Sequence, residues 1–242
     1  MSEQTYVGGE LALFAHAHRW KAYWISRLRP FLGGAVLEVG AGIGSNTLLL
    51  RLGNERRWVC LEPDAQLAAQ LKQRIAETPA CRNSEVHIGT LESLASTEVF
   101  DTILYIDVLE HIEDDCGELR RAARHLAPGG RLVVLSPAHG WLFSPFDKSI
   151  GHFRRYTAKM LASLTPPELC LARAFYLDSV GLLASAANRL LLRQSLPTLK
   201  QIQVWDRFMI PCSRILDPLT GHRLGKTVVG VWERPHLQKT EA

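Results

Sequence analysis

The sequence predicts an α/β protein built on a doubly wound, mostly parallel, seven-stranded sheet, with an N-terminal helix and a helical insertion before the last strand. Two observations predict it. Short apolar runs alternate with segments of helical spacing, the pattern of a parallel sheet covered on both faces. A glycine-rich bend, Gly40-Ala41-Gly42-Ile43-Gly44, directly follows the first run, where a strand-to-helix crossover meets a ligand.

Each element has a local reason. Strands are predicted at 35–39, 58–61, 85–88, 101–106, 131–135, 169–177 and 227–233. The first ends in glycines and the second is stopped by Glu62-Pro63. Runs 101–106 and 131–135 are apolar enough to be buried on both faces. Helices are predicted at 16–28, 45–52, 64–77, 114–126 and 158–164. Leu67, Leu71 and Ile75 recur every fourth residue in the third, and Ala127-Pro128-Gly129-Gly130 stops the fourth before a strand. Residues 137–157 read as a long loop rich in Gly, Pro, His and aromatics, a length that suggests function. The insertion at 179–220 carries Leu183, Ala186, Ala187, Leu190 and Leu191, then Ile202, Trp205, Phe208 and Met209, at helical spacing. Pro211 is expected to kink or divide its second helix. The last strand is expected to be antiparallel, at the sheet end.

Composition bounds the answer. The chain has 242 residues, 47% hydrophobic and 21% charged, which fits one globular domain over 1–242 and excludes general disorder. Within it, 1–32 is read as a helical cap, 33–137 as a cofactor-binding half, and 138–242 as a substrate-side half with its own cap at 179–220. A net charge of +4 is too mild to argue for nucleic acid. Five scattered cysteines without a C-x-x-C pair give neither a disulfide framework nor a zinc site; no metal is expected, and a reducing, cytoplasmic setting fits. The polar start and the broken apolar run after it lack a secretory core. No stretch is apolar enough to cross a membrane.

The bend differs from a dinucleotide site. Ser45 stands where such a site wants Gly or Ala, and Glu38, two before Gly40, would repel a pyrophosphate. Glu62 closes the second strand at the spacing, about 20 residues on, where doubly wound folds place a ribose-binding carboxylate. Two strand-end acids without a phosphate-binding lysine describe an adenosine site for a cationic ligand. S-adenosylmethionine, with its sulfonium, ammonium and ribose, is such a ligand.

Four segments then carry a family resemblance: Val36–Gly44 (VLEVGAGIG), Leu61-Glu62-Pro63-Asp64, Phe100–Ile112 (FDTILYIDVLEHI) and Leu126–Leu135 (LAPGGRLVVL). In order and spacing they resemble the motifs of class I S-adenosylmethionine-dependent methyltransferases, over roughly residues 30 to 137. The resemblance implies a Rossmann-like fold and S-adenosylmethionine as cofactor. It implies that Glu38 holds the methionine ammonium, directly or through water. Gly40, Gly42 and Gly44 would form the bend beneath the ligand, and Glu62 with Pro63 would take the ribose. Thr90 and Leu91 would line the adenine edge, though many members have Asp at the place of Thr90. Ile106 and Asp107 would line the methionine side; the alternative for Asp107 is a helix cap.

The substrate end is read from the residues. Methyl transfer needs the acceptor placed in line and, for a hydroxyl, a base. His111, His139 and His152 all fall on loops at strand carboxyl ends, where open α/β sheets bind ligands. The segment 146–157 (FDKSIGHFRRYT) resembles one in bacterial methyltransferases similar to the ubiquinone-biosynthesis type, some acting on small-molecule, lipid or saccharide intermediates. Asp147 and His152 read as a base and its orienting partner. Asp147, Arg154, Arg155 and Tyr156 read as substrate-binding, the arginines offering forked donors to an anion. The alternative is that the arginines pin the loop to acids around Glu113–Asp115. An N/D/S-P-P-aromatic segment is absent after the fourth strand, where Tyr105-Ile106-Asp107-Val108 stands, and this disfavours nucleic acid.

The expected function is methyl transfer from S-adenosylmethionine to an acceptor, most simply oxygen, on a small molecule or a lipid- or sugar-linked intermediate. The alternatives are a cofactor-binding regulatory module without turnover, a methyltransferase acting on RNA or protein, and a nicotinamide dehydrogenase, which Glu38 and Ser45 disfavour. The chain is expected to be a monomer or homodimer. Its insertion is read as a lid, a dimer surface or, with Arg189 and Arg193 beside leucines, a peripheral membrane contact.

Overall fold

A computed structural model describes residues 16–189 and 198–236. Leu190, Leu191 and Arg193, and the first half of the proposed N-terminal cap, lie outside the described residues.

The described residues open with α1 (His18–Leu28), then β1 (Ala35–Val39), α2 (Thr47–Leu50), β2 (Arg57–Glu62), α3 (Ala65–Glu77), β3 (Ser84–Ile88), β4 (Phe100–Ile106), α4 (Asp115–Arg124) and β5 (Leu126–Pro137). It continues with α5 (Pro145–Ser149), α6 (Ala158–Ser163), β6 (Cys170–Leu177), α7 (Ser179–Ala187), α8 (Leu199–Val204), a π-helical turn (Trp205–Met209), α9 (Ile210–Leu219) and β7 (Thr227–Glu233). The strands form one seven-stranded sheet in the order β3-β2-β1-β4-β5-β7-β6. β1 to β5 are parallel, and β7 runs antiparallel to both neighbours. β7 therefore lies between β5 and β6, and β6 takes the sheet end that the sequence assigns to β7.

The strand runs are buried because both faces are covered. On one face Val36, Trp58, Cys60, Leu104 and Val133 pack with Trp20, Tyr23, Trp24 and Leu28 of α1 and with Ile202, Trp205 and Ile210 of the insertion. On the other, Leu37, Val59, Ile103 and Val134 pack with Leu119 and Ala122 of α4 and Leu161 of α6.

Three local readings change. Pro128-Gly129-Gly130 does not precede the fifth strand but bulges it: Phe100 pairs with Leu126 and Thr102 with Arg131, so extra β5 residues loop out where glycine permits a φ of 78°. The segment 137–157 is not irregular throughout, since α5 forms with Ser144 and Asp147 as a reciprocal capping box. Pro211 does not break the insertion. The helix runs on through the π turn and Pro211 enters α9 at its first turn, where a missing N–H is tolerated.

The insertion is fastened to α1 through buried acids. Asp206 accepts from the Arg19 and Trp20 backbone N–H at 3.1 and 2.8 Å, supplying orphan donors of the α1 N-terminus. Asp217, fully buried, accepts from Tyr23 Oη (2.8 Å) and the Asp178 and Ser179 N–H (2.7 and 3.0 Å). Replacing Asp217 by Ala leaves these three donors unpaired, and urea denaturation should show a loss of about 3 kcal/mol. A change below about 0.5 kcal/mol contradicts this account of the cap.

Candidate functional site

A cavity of about 720 Å³ opens at the carboxyl ends of β1, β2 and β4 and extends under α1 and the insertion. Gly40, Gly42, Glu62, Pro63, Ile106 and Asp107 line it together with Asp147, His152 and Arg155.

The bend sits in its floor. Gly40 holds a φ of 67°, and a Cβ there would press within 2.9 Å of Val108, so only glycine fits. The Gly42 and Asp64 N–H donate to opposite oxygens of Glu62, at 2.7 and 2.9 Å. Burial raises the Glu62 carboxyl from its ordinary value, and these backbone donors oppose that. Each oxygen keeps a second lone pair for a ligand hydroxyl.

Glu38 behaves differently from the expectation of a direct grip. It is 2% exposed and absent from the cavity wall. Its Oε2 accepts from Thr47 Oγ1 (2.7 Å) and Trp58 Nε1 (3.1 Å). Burial pushes its carboxyl up to about 7. Gly44 is also outside the wall, and at a φ of 77° makes room for Leu71 of α3. Thr90 and Leu91 do not line the cavity, and Leu91 is buried. These four positions support the wall from behind or beside it.

Asp107 does reach the cavity. It holds a left-handed φ of 55°, which Asp tolerates better than most residues, and its N–H donates to the Leu135 carbonyl (2.8 Å). Desolvation raises its carboxyl to about 6, against the pull of His152, Lys21 and Lys226.

The buried Asp147 carboxylate accepts from His152 Nδ1 (3.0 Å), Arg155 Nε and Nη2 (2.7 and 2.9 Å) and the Ser144 N–H and Oγ (both 2.8 Å). Burial pulls its pKa up, yet the hydrogen bonds from His152 and Arg155 hold it well below the carboxylate range. Asp147 thereby fixes the His152 ring, leaving Nε2 as its other nitrogen, 3.9 Å from Glu110 Oε1. Glu110 is fully buried; Oε2 accepts from Ser136 Oγ (2.9 Å) and Oε1 has no hydrogen-bond partner. Burial and the nearby Asp107 raise its carboxyl well above the ordinary range. The His111 ring meets His152 edge-on at 4.5 Å, and burial lowers its pKa to about 4. Glu110, His111 and His152 place ligand atoms within 4.8 Å of one another, a spacing that could hold a cation. The sequence shows no such spacing because the residues come from two separate loops.

Three proposed site residues face elsewhere. His139 is bound through Nε2 to the Gly225 carbonyl (2.9 Å) and stacked on Tyr176 at 5.2 Å, outside the cavity wall. Arg154 donates to the Glu113 carbonyl (2.8 Å) and pairs with Asp115 (2.5 Å). Buried Tyr156 donates to Asp115 (2.8 Å) and the Leu109 carbonyl (3.2 Å). Arg154 and Tyr156 thus pin the loop to the body, the alternative the sequence left open. Arg155 lines the cavity with its fork on Asp147.

The structure adds two wall lysines that sequence reasoning missed, beside Trp20 and Trp24 of the aromatic N-terminal helix. Lys21 enters from α1, 8% exposed; burial lowers its pKa and Asp107 opposes this. Lys226 Nζ lies 3.5 Å from Asp178 and 3.7 Å over the Trp205 ring. Trp20, Trp24 and Trp205 complete an aromatic wall. The available signal was Lys21 itself, a cation set between Trp20 and the pair Tyr23 and Trp24 on one helix.

Comparison with known proteins agrees with this architecture. Residues 37–132 match a family model described as a methyltransferase domain. A ubiquinone biosynthesis O-methyltransferase from Albidiferax ferrireducens is 32% identical over 141 residues, covering 50% of this chain and 55% of that protein. One from Paracidovorax citrulli is 33% identical and 58% covered, so the chain spans little more than half the length of these relatives. Among solved structures, a putative sarcosine dimethylglycine methyltransferase from Galdieria sulphuraria superposes with a TM-score of 0.60 at 18% identity, over 89% of this chain and 84% of that one. That likeness shows the fold. With the four sequence motifs, the bend and the matched domain on one sheet, residues 37–132 match a methyltransferase domain, and the chain is similar to the class I S-adenosylmethionine-dependent methyltransferases.

Proposed function

We propose that the protein transfers a methyl group from S-adenosylmethionine to a hydroxyl of a small molecule or a lipid- or saccharide-linked intermediate. The observation that carries this reading is one cavity whose lining holds both Glu62 and Asp107 and the Asp147–His152 pair. The similarity to ubiquinone biosynthesis O-methyltransferases supports oxygen as the acceptor atom.

The residues present fit the cofactor. A volume of about 720 Å³ lies within the range of small-molecule sites, about 300–1,000 Å³. Glu62 offers lone pairs to ribose hydroxyls, and Asp107 offers a carboxylate to the cationic end. When bound, the cofactor supplies an already activated methyl group, so no further electrophile is needed. The protein's work is placement and proton removal. Asp147 holds the His152 ring through Nδ1, so the Nε2 lone pair takes the acceptor's proton. Trp20, Trp24 and Trp205 exclude water and pack the acceptor's apolar part. Lys21 and Lys226 add two amines to the wall, each beside a carboxylate, Asp107 for Lys21 and Asp178 for Lys226.

Replacing His152 by Ala should lower kcat about 10²- to 10⁴-fold while calorimetric affinity for S-adenosylhomocysteine stays constant; an unchanged kcat excludes His152 as the base. Asp107 gives a pH test. Its carboxylate must be ionised to hold a cation, so lowering the pH below about 6 protonates it and weakens cofactor affinity, by at most about tenfold per pH unit. Titrations of the wild type between about pH 7 and about pH 5 should show this loss, and Asp107→Asn should show weak, flatter binding. Equal slopes in both proteins contradict the assignment.

A further inference from the structure

The helical insertion buries acids beside its core residues Ile202, Trp205 and Ile210 and leaves other large apolar side chains exposed. The continuous segment from α8 through the π turn to α9 turns Asp206, Ser213 and Asp217 inward, all buried. Asp206 caps α1, Ser213 Oγ donates to Asp178 (2.7 Å), and Asp217 gathers the three donors described above. Large apolar side chains stand outward instead: Val204, Phe208, Ile215 and Leu219 are 49%, 59%, 68% and 77% exposed. Val204 and Phe208, and Ile215 and Leu219, are spaced by four residues, and Pro211 lies between the pairs, so they form one stripe along the helix.

The charge around the stripe is one-sided. Between residues 199 and 224 the acids are Asp206 and Asp217, both engaged inward, whereas Lys200, Arg207, Arg214 and Arg223 are all exposed. Arg19 and Arg214 flank a shallow groove of about 360 Å³ floored by Pro211 and Ile215, with no acidic residue in its lining. Arg214 lies 5.8 Å over the Tyr23 ring, and Arg19 donates to the Arg207 carbonyl (3.3 Å). Neither contact neutralises its charge.

We infer that this face docks on an anionic lipid bilayer, the stripe entering the interface and the arginines meeting headgroup phosphates. Apolar side chains beside unneutralised arginines are what an interfacial helix presents to anionic lipid. A second copy fits poorly, because a twofold contact sets like charges together. Among the described residues no helix is long and apolar enough to cross a membrane, so docking would be peripheral. Trp205, on the inner side of the same segment, lines the cavity, which places the chamber directly beneath the docked helix. The inference goes beyond the methyl-transfer reading and does not depend on it.

The test is cosedimentation of the full chain with phosphatidylcholine vesicles, with and without phosphatidylglycerol. Binding is expected to the anionic vesicles and to weaken with salt. The double variant Ile215→Gln/Leu219→Gln should lower partitioning at least about tenfold, and Arg214→Gln about fivefold. Both variants should keep the wild-type melting temperature and S-adenosylhomocysteine affinity, which separates lost docking from lost folding. Failure to bind anionic vesicles, or binding that survives both variants, overturns the inference. A doubled mass in light scattering that Ile215→Gln abolishes assigns the stripe to a second copy instead.

Discussion

A carboxylate leaves water only if donors replace the water it loses, and this constraint organises the molecule. Asp178, Asp206 and Asp217 are buried with their oxygens taken by backbone N–H groups, a tyrosine, a tryptophan and a serine. They bind α1, α7 and the insertion into one wall. Asp147 is saturated in the same way and holds a histidine and an arginine in place. The acids at the cavity are less fully supplied. Glu62 has one backbone donor per oxygen, and Glu110 has one oxygen without a hydrogen bond. The less the protein satisfies an acid, the more a ligand gains there.

The same division explains the shifted ionisation. Asp147 is held low by its donors, whereas burial raises Glu38 and poor solvation within the cavity raises Asp107, whose side chain remains exposed to it. The site therefore combines one permanently ionised carboxylate, which orients His152, with acids that titrate near neutrality beside the proposed cofactor position. A structural network and a responsive one lie a few residues apart.

Much of this was legible in the sequence, for local reasons. Strand positions follow from apolar runs bounded by Gly and Pro, Glu62 from its spacing after the bend, the Asp147–His152 pair from one loop, and Asp107 from the family resemblance of its segment. What escaped comes from distant segments. Lys21 and Lys226 reach the cavity from opposite ends of the chain, and no pattern within either segment marks that convergence. His139 sits where a base is expected, but its ring nitrogen is bound to the carbonyl of Gly225, 86 residues away. Arg154 and Arg155 are adjacent and alike, yet one pins the loop to Asp115 and the other holds Asp147. Glu38, the acid expected to grip the ligand, is tied to Trp58 and Thr47 behind the bend.

The account stands or falls on where the nucleoside binds. A crystal structure with S-adenosylhomocysteine tests this most directly. The account predicts ribose hydroxyls on Glu62, the amino-acid end beside Asp107, and the sulfur facing the His152 side of the cavity. A nucleoside bound away from the bend, or a sulfur turned from His152, contradicts it.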